Sequence, residues 1–256
     1  CVVGNRHADN AVAFYAGGPY GPADGVGFTD RTVVMRTCRN DGVLLRPSWP
    51  LGALDVNFMA PPQANGSAAD PTYLWAAHDE HADVGLRWSY VVSINSPSPT
   101  MVSSDDLQGP SPGAMAVWDV EIGGNVSNVT RVAQGDKYTM PASPAQTNGP
   151  GIAHAVFAPV LPNGMVLLGE VFKWATASTR RFDQMHTSTG LTARVRGGRG
   201  ETVTVAWAPA GSAAVQTVEC LFGGVTTCAS PDIHGDVDCA LTLSCTSSSC
   251  TCGAMV

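Results

Sequence analysis

Leu86-Arg87-Trp88-Ser89-Tyr90-Val91-Val92-Ser93-Ile94 carries apolar side chains at 86, 88, 90, 92 and 94. A strict period of two is the signature of an extended strand with one face buried. The same alternation returns at Ala116 to Ile122, where Asp119 and Glu121 face away from the apolar set, and at Leu191 to Val195. It returns again at Thr202 to Trp207, where Val203, Val205 and Trp207 alternate with Thr202 and Thr204. All four read as half-buried antiparallel strands. Between such segments lie Asn40-Asp41-Gly42, Gly109-Pro110-Ser111-Pro112-Gly113, Asn148-Gly149-Pro150-Gly151 and Pro162-Asn163-Gly164, whose turn chemistry interrupts a strand and reverses the chain.

Strand-sized segments bounded by turns run along nearly all of the 256 residues, and 28 Gly and 18 Pro against only 14% charged residues suit that pattern better than helices. The length suffices for a sizeable core without help from a metal. The expectation is an all-β protein: an antiparallel β-sandwich over residues 51–219, preceded by an N-terminal segment over 1–50 and followed by a small disulfide-rich C-terminal appendage over 220–256. Six of the eight cysteines fall in those last 37 residues, beside the run Thr246-Ser247-Ser248-Ser249. A segment so short, with few large apolar residues, needs covalent ties to stay ordered.

A formal charge of −7 with no run of Lys or Arg argues against nucleic acid and against an anionic membrane surface, both of which need clustered positive charge. No stretch reaches the roughly 18 apolar residues of a membrane-spanning helix. The first residues, Cys1-Val2-Val3-Gly4, lack a basic flank followed by an apolar core, so the chain reads as already processed. Cys1, Cys38, Cys220, Cys228, Cys239, Cys245, Cys250 and Cys252 are an even set, compatible with four bridges of undetermined pairing in an oxidising compartment. The three sequons Asn65-Gly66-Ser67, Asn125-Val126-Ser127 and Asn128-Val129-Thr130 point the same way, to N-glycosylation and secretion.

At Ala16-Gly17-Gly18-Pro19-Tyr20-Gly21-Pro22-Ala23-Asp24-Gly25-Val26-Gly27, then Val33-Val34-Met35, then Asp41-Gly42-Val43-Leu44-Leu45-Arg46-Pro47, the order of residues resembles glycoside hydrolase family 36. Raffinose synthases and alkaline α-galactosidases are the members it is most like. Phe157-Ala158-Pro159-Val160, Leu167-Leu168-Gly169 and Ala193-Arg194-Val195-Arg196-Gly197-Gly198-Arg199-Gly200-Glu201 are similar to the family's closing sandwich strands. The resemblance covers about residues 11–210 and stops before Cys220. It implies that residues 1–50 correspond to the end of a catalytic barrel and the rest to a C-terminal β-sandwich, with Asp24 at the rim of a pocket. The family's nucleophile and acid/base sit on earlier barrel strands. A complete barrel takes about 200 residues or more, and too few precede the sandwich for one, so no catalytic residue is assigned.

The remaining candidates come from residue chemistry alone. His78-Asp79-Glu80-His81 with Asp83 is a polar cluster after a strand in which His78, His81 and Asp83 are weak candidates for a divalent cation. It lacks the helical register of a His-Glu-x-x-His site, and a polar strand-to-strand loop is the plainer reading. Asp105 with Asp106, and Asp119 with Glu121, read as solvated acids, since a catalytic pair needs an apolar pocket around one member. His154 and His186 have no nucleophile signature near them. Trp88, Trp118 and Trp207 occupy apolar strand phases, whereas Trp49 in Pro47-Ser48-Trp49-Pro50 is the surface candidate for a sugar. Asp24 and Trp49 are thus the ligand-binding candidates, and no cofactor is expected. Three functions fit: a secreted structural glycoprotein assembling with itself, a carbohydrate-binding module, or the C-terminal piece of a processed α-galactosidase-like enzyme. Their partners would be copies of the chain, glycans, or an upstream chain of the same precursor.

Overall fold

The computed structural model describes residues 6–17, 29–55, 73–107, 113–120, 128–144, 151–223, 227–228 and 238–254. Two short helices lead into the strands. In α1 (Arg6–Tyr15), Ala8, Ala11, Phe14 and Tyr15 are buried, a stripe at three- and four-residue spacing that seats one face of the helix in the core. The shorter α2 (Arg31–Met35) starts at Asp30, whose carboxylate accepts from Thr32 N at 2.9 Å and satisfies one of the helix's orphan donors.

The strands follow as β1 (Trp49–Ala53), β2 (Tyr73–His81), β3 (Leu86–Ile94), β4 (Thr100–Ser103), β5 (Met115–Asp119) and β6 (Val129–Val132). Next come β7 (Lys137–Met140), β8 (Ile152–Pro159), β9 (Val166–Glu170), β10 (Phe182–His186), β11 (Leu191–Gly198) and β12 (Thr202–Ala208). The last are β13 (Gln216–Leu221), β14 (Thr227–Cys228), β15 (Asp238–Cys245) and β16 (Cys250–Ala254). Six strands form the largest sheet in the order β1-β2-β3-β8-β5-β6. A three-stranded sheet runs β13-β12-β9, a five-stranded one runs β10-β11-β15-β14 with β16 also on β15, and β4 pairs with β7. The strand pairs are antiparallel, so the chain is a mostly-β, antiparallel sandwich, as its periodicity predicts.

The main core lies between one face of the six-stranded sheet and the sheets opposite, with Trp88, Tyr90, Val156 and Trp118 meeting Leu167, Val205, Val195 and Leu243. Trp88 is fully buried, and its indole N–H donates to Leu167 O at 2.7 Å, which lets an amphipathic ring sit in the core without an unsatisfied donor. A second core covers the opposite face, where Leu74, Ala76, Val91, Val117 and Phe157 pack under Val102, Leu107 and Met140. β3 and β5 are therefore buried on both faces, not one as the alternation predicts. The β4–β7 pair supplies the second cover, a tertiary event that a period of two cannot announce.

The cysteine-rich region is stapled, by Cys220–Cys252 and Cys245–Cys250, and Cys239 is also disulfide-bonded. It is continuous with the main fold: β15 pairs with β11 from Leu191↔Cys245 to Gly198↔Asp238, and Cys239, Leu241, Leu243 and Cys245 belong to the main core. Cys38 departs from the bridged set. It is a buried free thiol whose Sγ lies 3.8 Å from Val34 O and 3.9 Å from Met35 Sδ. Cys1 lies outside the described residues.

Candidate functional site

Strand alternation builds the site from β2. Ala77, Asp79 and His81 point toward the main core, while Ala76, His78 and Glu80 point to the other face. His78 and His81, three apart, are on opposite faces and cannot share an ion. His78 Nδ1 lies 2.8 Å from Ser89 Oγ, and His81 Nε2 lies 2.8 Å from Ala177 O. Asp83 accepts from Met185 N. His78, Asp79 and His81 lie buried on the end of β2, the histidines committed to neighbours, while Asp83 follows in an exposed turn. Among the described residues no group of three or more His, Cys, Asp or Glu side chains could hold a metal ion.

Asp79 is fully buried. Its Oδ1 accepts from Ser48 N at 3.1 Å, Ser48 Oγ at 3.1 Å and Thr179 N at 3.4 Å, and its Oδ2 from Tyr90 OH at 2.9 Å. Burial pushes its carboxyl up to about 7, against these hydrogen bonds. Beside it, Tyr15 donates its one O–H to Trp174 O at 2.6 Å, and His154 Nε2 is 2.8 Å from the Tyr15 hydroxyl oxygen. A carbonyl can only accept, so His154 must be the donor there and is the neutral Nε2–H tautomer. Its Nδ1 is buried without a hydrogen-bond partner. Burial, then the charge of Arg36, lowers this imidazole to about 3. Arg36 stacks 4.7 Å from the centre of the Trp174 ring, and Asn10 accepts from Trp174 Nε1 at 2.5 Å. The helical segment and the sandwich thus meet through a buried polar seam.

Above Asp79 opens a pocket of about 370 Å³, lined by Gly17, Arg46, Pro47, Ser48, Thr179 and Arg180 among others. On the other face of the sheet stands Trp49. Opposite His78 in register, it is 55% exposed and lies beside Glu80, whose carboxyl Arg87 and, to a lesser degree, Trp49 hold below its ordinary value. Glu80 in turn pairs with Arg87 at 3.0 Å. Trp49 is a surface aromatic, whereas Trp88, Trp118 and Trp207 are core.

Asp24, Asn65 and Asn125 lie outside the described residues. Asn128 is exposed, as is Thr130 two positions on along the start of edge strand β6, and the same-side spacing of i and i+2 presents both together. Asp119 accepts from Tyr138 OH at 2.5 Å; Glu121 lies outside the described residues. Two further buried carboxylates escape sequence reading. Glu170 and Glu201 clasp Arg181, at 2.7 Å to its Nε and 2.7 Å to its Nη2 respectively, and Glu201 also accepts from Gly198 N and Asn40 N. Burial pushes Glu201 up, but the Arg181 hydrogen bonds and charge outweigh it and hold the carboxyl below its ordinary value.

Fold and site together define a disulfide-stapled antiparallel β-sandwich with a surface tryptophan on one face of the main sheet and a basic pocket on the other. No protein-family model matches the chain, and no curated protein matches it.

Proposed function

We propose that this chain is a secreted, N-glycosylated, non-catalytic β-sandwich of the family 36 type that binds glycans through Trp49. The observation that carries the reading is the place of that ring: exposed, and beside the Glu80–Arg87 pair. A sugar's C–H face stacks on the indole while Glu80 and Arg87 meet its hydroxyls, the combination of apolar platform and few polar groups that small-ligand sites use. Secretion is supported by the disulfides, glycosylation by the exposed Asn128 sequon.

Glycan-array screening followed by calorimetry on the best neutral glycan tests the reading. Trp49→Ala is expected to weaken binding by about tenfold or more, the scale of one lost stacked aromatic, with an unchanged melting temperature. A wild-type protein that is silent on the array, or a W49A variant that binds equally, ends it. Light scattering that loses a dimer in W49A would instead hand Trp49 to self-assembly. The seat of α1 favours a second reading, association with an upstream chain of a family 36 precursor, because its buried seam is what a barrel end docked on a sandwich requires. Co-purification of that chain and α-galactoside hydrolysis by the pair test it, and the absence of both rejects it.

A further inference from the structure

The pocket above Asp79 is lined by two cations, Arg46 and Arg180, that no described acid answers. Arg46 donates from Nη1 to Gly17 O at 3.2 Å, and Arg180 from Nη1 to Leu44 O at 3.4 Å, and neither forms an ion pair with a described residue. Elsewhere Arg87 is answered by Glu80, Arg181 by Glu170 and Glu201, and Arg194 and Arg196 by Asp183, while Arg131 spends its donors on the carbonyls of Pro209, Gly164 and Ser212. In a chain of net charge −7, acids are in surplus, so two unanswered guanidinium groups lining one cavity are not explained by a shortage of partners. Each guanidinium carries five N–H donors in a planar fork, and one hydrogen bond apiece leaves donors for a two-oxygen acceptor.

The walls are fixed in place. Ser48 and Thr179 are held by their backbone N–H groups on Asp79, and Ser178 Oγ donates to Arg46 O at 3.4 Å, tying the two arginine-bearing segments together. Ser48 Oγ spends its proton on Asp79, so its lone pairs remain available to a ligand hydroxyl. A volume of about 370 Å³ is at the small end of the range for ligand pockets, about 300–1,000 Å³, and fits one sugar ring with its substituents.

We infer that this pocket is an acidic-sugar subsite in which Arg46 and Arg180 take the carboxylate of a uronic acid and Ser48 meets a ring hydroxyl. The sugar half of the inference rests on the glycan-binding reading above; the oxyanion half stands on the two arginines alone. Chemistry of this kind distinguishes the pocket from Trp49, whose platform is indifferent to charge.

Calorimetric titration of the full chain with galacturonate, galactose and inorganic sulfate tests it, on wild type, W49A, R46K/R180K and R46M/R180M. Galacturonate is expected to bind about tenfold or more tighter than galactose, and tighter than sulfate, with affinity falling as salt rises. R46M/R180M should abolish that binding, and R46K/R180K, which keeps the charges and loses the forks, should retain a fraction of it. W49A should leave it unchanged. Equal binding of galactose, tighter binding of sulfate, or undiminished affinity in a folded R46M/R180M overturns the inference, as does a crystal structure showing an acid of this same chain seated between the two guanidinium groups. If R46M/R180M does not fold, the lysine pair decides: galacturonate affinity equal to wild type overturns the inference. Neutral-glycan binding that depends on Trp49 beside a silent galacturonate titration sinks this inference alone, and the reverse pattern sinks only the Trp49 reading.

Discussion

Arg181 has no exposed surface, and Glu170 and Glu201, which flank it, are nearly as buried. Its Nε and both Nη atoms are engaged by the two carboxylates, with Nη1 also on Arg196 O at 2.5 Å. Removing one partner of a buried ion cluster strands the others in low dielectric, at a cost of about 3–5 kcal/mol. Arg181→Met is therefore expected to lower the unfolding free energy by that amount in urea titration, and R181M/E170M/E201M to regain part of it, because of the described charges in the cluster the apolar triple leaves only Lys173, which loses Glu170 but keeps Met35 O and Cys38 O as acceptors. A triple variant no more stable than R181M would show that the loss comes from shape and not from stranded charge. None of this was legible: the three residues are 11 and 20 positions apart in sequence and meet only because different elements deliver them. Trp49 and the core tryptophans were legible, since strand phase sorts the core rings and a Pro-Ser-Trp-Pro loop context marks the other. Asp79 was hidden for the opposite reason: hydropathy treats Asp and His as solvent-seeking, so the phase of Ala77, Asp79 and His81 did not register as a buried face.

At the scale of elements, β15 shows how a readable signal is overlooked. Cys239, Leu241, Leu243 and Cys245 alternate with Ala240, Thr242 and Ser244, the same period of two that identifies β3, but with cysteines counted as staples the apolar set shrinks to two leucines. In the structure the cysteines are core side chains as well as bridge ends, as buried cysteines often are. Cys220–Cys252 joins β13 of the three-stranded sheet to β16 of the five-stranded one across a sequence separation of 32, whereas Cys245–Cys250 closes a hairpin already paired in register. Loop-closure entropy grows with the length closed, so the first bridge matters more. C220S/C252S is expected to lose about 2–4 kcal/mol and C245S/C250S less, both read by thermal unfolding. Equal losses would mean that local strain or packing, not the constraint on the unfolded chain, sets the values. Helix α1 was missed too, since its stripe includes two alanines whose weak hydropathy lies beside a conspicuous Gly-Gly-Pro.

Over the whole molecule, the buried ionisable groups give a pH dependence whose sign follows from their environments. Burial, then the charge of Arg87, lowers His78 to about 4, and burial lowers His154 to about 3; burial lowers His81 as well. Each is held neutral in the fold while its unfolded counterpart titrates near 6.5, so each contributes stability that is present above about 6.5 and lost as the pH falls toward the folded value. Asp79 works the other way. Its folded value of about 7 lies above the unfolded 3.8, so its contribution is full below 3.8 and disappears as the pH rises through 7. Between pH 6.5 and 4 two carboxyls, Asp79 and Glu170, whose value burial also raises, oppose four imidazoles, His7 being lowered by burial as well, and the balance falls to the histidines at about 1.4 kcal/mol per pH unit for each uncompensated proton. Melting temperature is expected to drop between pH 7 and pH 5. Replacing His154 with Gln, which keeps an N–H for Tyr15 and carries no titrating group, should lower stability at pH 7 and flatten the slope. A wild type whose melting temperature holds or rises on acidification would mean that the two carboxyls outweigh the imidazoles, and that the polar seam between the helices and the sandwich tightens in acid.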